Sequence, residues 1–278
     1  MMAALPKALP RVLAYHKIAS FELGGTWMPP RRFVAQIDSL SRSGYRFVDE
    51  TAFLDSLEGR REAADREILL TFDDGYRNIL DAAAVALEAR GIPALVFLVS
   101  AYAGLANRWE LGLPGRRFTH LSWEECAGLA RRGFSFGSHT RTHRDLTRIP
   151  PREAREEIRR SRAEIEDRLG AAVRSLSYPF GRLDDSLRAE AMDAGYRAAF
   201  TLYPRRVPGA GGTFELRREP VYVIDTAGCV RRKLGGGTAS AIEEMKGRTI
   251  NAAAVLTPLV KSALARASNA SRRARGGS

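Results

Sequence analysis

The sequence predicts an α/β fold built on a parallel sheet closed into a β/α barrel. Short apolar runs alternate with helix-period patterns along most of the chain. The strand–helix units number about seven, a count that suits a barrel. The unusual polar residues also fall just after apolar runs, where loops of such folds gather on one face. A doubly wound open sheet is the alternative allowed by the same alternation.

Taken in order, "RVLAYH" (11–16) reads as the first strand. "PPRRFVAQIDSLSRSG" (29–44) reads as a helix, with Phe33, Ile37 and Leu40 at helical spacing and Gly44 as a stop. "YRFV" (45–48) is a short strand and "ETAFLDSLEG" a short helix. "EILLTF" (67–72) has the continuous apolar character of a strand buried on both faces. It leads into the helix "ILDAAAVALEARG", ending at Gly91. "PALVFLVS" (93–100) is a strand, and "SWEECAGLARRG" (122–133) a helix with Ser122 as N-cap and Glu125 at capping-box spacing. "FSFGSH" (134–139) is a strand, and "PPREAREEIRRSRAEIEDRLG" (150–170) a long charged helix. "RSLSYPFG" (174–181) is a strand and turn, "DDSLRAEAMDAG" a helix, and "YRAAFTLY" and "PVYVID" are strands. The character then changes. "RRKLGGGTAS" has the look of a linker, so residues 1–230 are taken as one domain and 231–278 as a basic extension, linker plus helix.

The apolar and charged fractions, 45% and 27%, are ordinary for a globular protein. The formal charge of +12 is not, and it thickens in the tail "SNASRRARGGS". Such an excess favours anionic partners. No nucleic-acid-binding signature accompanies it, so nucleic acid is not an expected partner; the basic extension reads as a terminal helix packed on the barrel, with a membrane-surface or partner helix as the alternative. Cys126 and Cys229 lie far apart, outside any Cys-x2-Cys context, and make neither a disulfide framework nor a thiolate metal site. No signal-peptide core or membrane-length apolar run is visible. The expected location is cytoplasmic, with docking at the inner membrane face as an added possibility.

The stretch "ILLTFDDGYRN" (68–78) poses the functional question, because two carboxylates stand side by side at the end of a buried strand. Adjacent carboxylates repel, and strand alternation sends them to opposite faces. Asp-Asp-Gly is also ordinary turn chemistry. Elsewhere, "GSHTRTHRDL" places His139 and His143 four apart after another strand, "YPFG" follows a third, and His16 follows the first. Two histidines and one carboxylate form a catalytic metal set that leaves room for water and substrate. One aspartate then holds the cation. The other stays free to take a proton from a water acidified beside it, and the cation offsets the repulsion between the two.

Together, "LLTFDDGY", "FGSHTRTHRDLT" and "SYPFG" resemble the first three motifs of the NodB-like polysaccharide deacetylases, carbohydrate esterase family four, in order and in approximate spacing. The resemblance covers roughly residues 10–225 and includes "LAYHKI", "NRWELG", "LSWEE" and "DAGYRAAFT". It implies a distorted (β/α)7-type barrel that removes an acetyl group from an N-acetylated sugar of a glycan or glycoconjugate and releases acetate. It also implies Asp73 as general base and Asp74, His139 and His143 as metal ligands. The cation is most often Zn²⁺, with Co²⁺, Mn²⁺ or Ni²⁺ as alternatives. The backbone N–H of Phe180 would hold the developing oxyanion.

Two departures stand out. Many members carry an arginine before the prolines of the third motif, bracing the catalytic aspartate; Ser177 stands there instead. The late Leu-x-His motif that supplies the general acid is missing, and no histidine follows His143. A subset of the family has a first-strand histidine entering the site. His16 fits that arrangement, against an ordinary reading as a buried strand-end histidine. Arg218, in "LRREPVYV", either replaces the bracing arginine or forms a surface ion pair. His120, Trp109, Trp123 and Cys126 read as packing residues, with sugar stacking as the alternative for the tryptophans; Tyr76 and Asn78 either line the pocket or start the next helix. Rival classes are a hydrolase of cyclic amides on the same barrel and a carbohydrate-binding relative with a dead site. A non-haem iron oxygenase explains neither the second aspartate nor the "YPFG" turn.

Overall fold

The computed structural model describes residues 8–22, 26–109, 118–203, 212–235 and 238–250. Six strands lie side by side in parallel: β1 (Arg11–Tyr15), β5 (Glu67–Phe72), β6 (Ala94–Leu98), β7 (Phe134–Ser138), β8 (Ser175–Ser177) and β9 (Ala198–Thr201), in the order β9-β8-β7-β6-β5-β1. The two free edges are joined by a single short stretch. Its first half, β10 (Leu216–Arg217), pairs with β9, and its second half, β11 (Glu219–Pro220), pairs with β1. Residues 216–220 thus supply a seventh position and close the barrel, with Arg218 at the crossing. A short strand, β4 (Arg46–Val48), runs against the opening residues of β5. A small parallel pair, β2 (Lys17–Ile18) and β3 (Trp27–Met28), follows β1.

Side-chain alternation divides the core in two. Val12, Leu69, Leu95, Phe97, Ala198, Phe200 and Leu216 form the interior cluster, together with Phe53, Leu54 and Leu57 of helix α2 (Glu50–Leu57). The intervening residues, such as Leu13, Ile68, Leu70 and Val96, face the outer helices, where Phe33, Ile37 and Leu40 of α1 (Pro30–Arg42) meet them. All six residues of β5 are buried, as its unbroken apolar run requires. The remaining outer helices are α3 (Val85–Glu88), α4 (Trp123–Ala130), α5 (Pro151–Leu169), α6 (Asp185–Asp193) and α7 (Ala227–Gly235). Helix α4 carries the full Ser122/Glu125 capping box, and α5 stops at Gly170 with φ 63°.

Three local expectations are corrected. The helix expected from Ile79 begins as a π-helix over Ile79–Ala84 before α3. The last strand lies at 216–220 instead of in "PVYVID". After Val221 donates its N–H to the Ala14 carbonyl (2.9 Å), the Asp225 carboxylate accepts the Tyr222 N–H at 2.8 Å and turns the chain out of the sheet. The presumed linker is mostly helical: α7 runs to Gly235, and 238–250 are again helix. Val230 and Leu234 are buried there, and Lys233 is pinned to the Pro220 carbonyl (2.7 Å) and to Asp225 (2.5 Å). Among the described residues, no helix is long and apolar enough to cross a membrane.

Gly137, next to the end of β7, is a place where the barrel interior leaves little room. A Cβ there would stand 2.6 Å from the Phe97 ring and 2.8 Å from the Ser175 carbonyl. Gly137→Ala is expected to lower stability by about 1–3 kcal/mol through overpacking, read as a shift in urea midpoint at unchanged slope.

Candidate active site

Asp73 continues β5 on the parity of Leu69 and Thr71, so its carboxylate points into the mouth of the barrel. Its own N–H is fixed by the Tyr15 carbonyl at 2.9 Å. Arg218, fully buried, reaches it from the closing strand as a two-pronged fork: Nη1 to Oδ1 at 2.6 Å and Nη2 to Oδ2 at 2.7 Å. The surface ion-pair alternative for Arg218 is therefore wrong. The guanidinium carbon also lies 5.3 Å from the Phe97 ring centroid and 5.9 Å from that of Phe200. Nη1 further donates to Thr71 Oγ1 (3.2 Å) and Nη2 to Ser177 Oγ (2.7 Å). The Ser177 hydroxyl in turn faces Asp73 Oδ2 at 3.5 Å. Burial pushes the Asp73 carboxyl up, but the Arg218 guanidinium, through its charge and its hydrogen bonds, pulls it down and holds it below the ordinary carboxylate range. His16, at the end of β1, places Nε2 3.9 Å from Asp73 Oδ2.

Asp74 leaves the strand by a left-handed turn, with φ 68° at Asp74 and 65° at Gly75. A Cβ on Gly75 would sit 2.6 Å from Leu98 Cδ2, so the turn needs glycine twice over. The turn brings Asp74 Oδ1 within 3.3 Å of His143 Nε2 and 3.6 Å of His139 Nε2. These three donor atoms lie within 4.8 Å of one another. His139 Nδ1 is hydrogen-bonded to the Ser177 carbonyl at 2.7 Å, which makes Nδ1 the protonated nitrogen and leaves the Nε2 lone pair facing Asp74. Burial lowers the basicity of both imidazoles, and that of His143 strongly. The set is one carboxylate and two neutral imidazoles, and it fits a divalent cation.

The loop carrying both histidines is held from α5. Glu157 accepts the Thr142 N–H (2.7 Å) and hydroxyl (2.5 Å), and Ser138 Oγ accepts the Thr140 N–H at 3.1 Å. Thr140 and His143 adopt left-handed φ of 64° and 59°. A run of rings then ties the loops together. Tyr76 stacks on His120 (4.8 Å), His120 meets Trp109 at a tilt (5.0 Å), Trp109 stacks on His143 (4.6 Å, 18° between planes), and His143 meets Phe180 at 4.9 Å. His120 Nδ1 is also hydrogen-bonded to the Asp74 carbonyl at 2.8 Å. Tyr76 is buried and accepts a bond from Asn107 on its hydroxyl (2.8 Å). Phe180 itself has φ 60°.

All seven residues singled out in the sequence thus meet at one end of the barrel: Asp73, Asp74, His139, His143, His16, Phe180 and Arg218. Sequence reasoning missed Ser177 and Thr71 as partners of Arg218, Glu157 as the anchor of the histidine loop, and Trp109 as the ring over His143. The acid at 157 was one among many in a charged helix, so residue type carried no signal. The presence of Ser177 where an arginine was expected was the one usable hint. Trp123 and Cys126 pack in or against the outer core.

A parallel β/α barrel with an Asp-His-His set at its C-terminal rim has the make-up of a metal-assisted hydrolase. The profile described as polysaccharide deacetylase matches residues 60–199, half of the chain. The chain belongs to that family, whose members are hydrolases. Among its relatives is the Bacillus subtilis protein YxkH, 26% identical over 213 residues, 77% of this chain and 71% of that one. The poly-β-1,6-N-acetyl-D-glucosamine N-deacetylase of Staphylococcus epidermidis is 24% identical over 196 residues, 68% of this chain and 65% of that protein. The fold matches that of the Streptococcus pyogenes deacetylase PplD, solved with acetate, at a TM-score of 0.72 and 20% identity, covering 82% of this chain and 99% of that one.

Two outcomes follow from this geometry. Arg218→Met leaves a buried carboxylate unpaired and is expected to cost about 3–5 kcal/mol in urea unfolding at pH 7. In the wild type the depressed Asp73 contributes stability above its unfolded value near 3.8, lost as pH falls through the folded one. In the variant the lone carboxyl is raised, so acidification neutralises it and narrows the gap between the two proteins. Trp109→Ala is expected to weaken Co²⁺ binding by about 10–100-fold, with Trp109→Phe restoring most of it in chelator competition.

Proposed function

We propose that the protein is a metal-dependent hydrolase that removes the N-acetyl group from an N-acetylated sugar of a glycan or glycoconjugate, releasing acetate. The observation that carries the reading is the division of labour between two adjacent carboxylates. Asp73 is held ionised by Arg218, and Asp74 faces two neutral imidazoles. Asp74, His139 and His143 would hold the cation, Zn²⁺ first and Co²⁺, Mn²⁺ or Ni²⁺ as alternatives. When bound, it supplies a Lewis acid for the acetamide carbonyl and brings a neighbouring water toward neutral pKa.

The chain's own groups complete the reaction. Asp73 accepts one proton from the attacking water while the water oxygen bonds to the acetyl carbon. The backbone N–H of Phe180 donates to the oxygen that gains charge. His16 protonates the nitrogen as the carbon–nitrogen bond breaks, and the proton on Asp73 passes back to His16 across their 3.9 Å separation. Arg218 keeps Asp73 oriented and charged throughout. The Staphylococcus epidermidis relative is named for an acetyl group on nitrogen, which favours N- over O-deacetylation and over cyclic-amide hydrolysis. The three converging donors and the buried Asp73–Arg218 pair favour an active enzyme over an inactive binding relative.

Metal content and acetate release test this together. Wild type purified without chelator or metal-affinity tag is expected to hold about one divalent ion per chain. Asp74→Ala is expected to lose it. Asp73→Asn should keep the ion yet release acetate from N-acetylglucosamine oligomers at least about 10²-fold more slowly. Equal metal in wild type and Asp74→Ala, or undiminished acetate release from Asp73→Asn, would sink the assignment.

A further inference from the structure

The closing strand is short for the charge it carries. Residues 216–220 offer two paired positions to β9 and two to β1. They nevertheless hold in place the guanidinium that keeps Asp73 ionised inside the barrel. Their outward side chains show what else secures them. Strand alternation points Arg218 inward and sends Arg217 and Glu219 out. Glu219 accepts from Arg11 at 3.0 Å, and the Pro220 carbonyl accepts from Lys233 at 2.7 Å. Arg217 Nη1 reaches Glu244 Oε2 at 2.8 Å, on the helix at 238–250.

That helix docks by the opposite face to the usual one. It buries Ser240, Glu243 and Gly247, and leaves Ile242 and Met245 51% and 65% exposed. A helix seated by the hydrophobic effect would do the reverse. Specific contacts hold it instead. Glu243 accepts from Arg232 of α7 at 2.6 Å, and Ser240 donates to the Lys233 carbonyl at 3.2 Å. At Gly247 the helix backbone meets two rings. The Tyr222 hydroxyl donates to the Gly247 carbonyl at 3.3 Å, and the Tyr222 and Tyr203 hydroxyls are bonded to each other at 3.1 Å. A Cβ on Gly247 would overlap the Tyr203 hydroxyl and stand 3.2 Å from Tyr222 Cε2. Tyr222 lies two residues past the closing strand and Tyr203 two past β9. The helix therefore touches both of the segments whose register places Arg218.

Resting on the deacetylase reading, we infer that the helix at 238–250 belongs to the catalytic unit, with Glu244 and Gly247 as positioning residues. They set the closing strand against β9, and through it the Arg218 fork that keeps Asp73 oriented as base. A displacement of about 1 Å in such a group slows a reaction by about 10²-fold. Loosening this helix is thus expected to act on turnover and to spare substrate and metal binding.

Full-length variants test this by hydrogen exchange and by kinetics. Gly247 has a helical backbone, so alanine there favours the helix itself and disturbs only its contact with the two tyrosines. Gly247→Ala is expected to speed amide exchange over 216–221 about tenfold, while β6 and β7 keep their protection. The kcat for acetate release from N-acetylglucosamine oligomers, with Zn²⁺ bound, should fall about 10–100-fold. KM and Co²⁺ affinity should stay within about twofold of wild type. Adding Tyr203→Phe, which removes the overlapped oxygen, should return both exchange and kcat most of the way. Glu244→Ala should move both in the same direction as Gly247→Ala. Unchanged exchange over 216–221, faster exchange there at unchanged kcat, or faster exchange spread equally over all the strands each overturns the inference. A wild type that releases no acetate defeats the deacetylase reading alone. Exchange and its rescue by Tyr203→Phe then still decide whether 238–250 holds the closing strand.

Discussion

One buried ion pair joins the architecture to the chemistry. The barrel is closed by only five residues, 216–220, which pair with β9 on one side and β1 on the other. The residue at the changeover is Arg218, whose N–H still bonds the Thr201 carbonyl (3.1 Å) while its guanidinium crosses the interior to Asp73. Two opposite charges removed from water are stable only with good geometry and with their remaining hydrogen-bonding capacity satisfied. Here the fork is bidentate, Thr71 and Ser177 take further N–H donors, and two aromatic rings flank the guanidinium, while Nε has no hydrogen-bond partner among the described residues. The closure of the sheet and the ionisation of Asp73 are therefore one constraint. If the strand at 216–220 shifted register, the charge inside the barrel would lose its partner.

The same logic explains how adjacent carboxylates coexist. Strand alternation alone would send Asp74 to the outer face, among the apolar residues that meet the helices. The left-handed turn at Asp74 and Gly75 redirects it along the rim toward the histidines. Thr140, His143 and Phe180 adopt the same disfavoured region around the site, at about 1–3 kcal/mol each. Such strain persists only where the surroundings fix it. Glu157 grips Thr142, His120 bonds the Asp74 carbonyl, and the rings of Trp109 and Phe180 against it leave His143 little freedom.

Much of this was legible in the sequence, for reasons that also mark where legibility stops. "EILLTF" and "PALVFLVS" announced strands because a strand buried on both faces has no polar positions, and Ser122 with Glu125 announced a cap because both partners lie within one turn. The Asp pair and the two histidines stood out by residue type at the ends of such strands. What spacing does not encode is contact across the barrel. Arg218 lies 145 positions from Asp73; the missing third-motif arginine pointed to it as a substitute brace, but nothing local distinguishes it from Arg217 or decides against a surface ion pair. The strand read into "PVYVID" failed because its apolar residues pack around a turn fixed by Asp225, and burial alone does not specify extended backbone. Trp109 over His143 was similarly silent, since stacking depends on how a loop folds back.

A closed barrel also explains how the site can lack a histidine late in the chain. In register, Tyr15 sits opposite Phe72, so the next residues on the two strands, His16 and Asp73, are neighbours at the rim. On the other side of β1 lies β11, so the last strand is as close to the first as any sequential pair. The position of a group around the rim, and not its order in the sequence, decides what it can reach. A histidine at the end of β1 and a bracing arginine from the closing strand therefore converge on the one aspartate that follows β5, although they come from opposite ends of the domain. The proton path proposed here needs only that convergence, and the parallel register on both sides of β1 provides it.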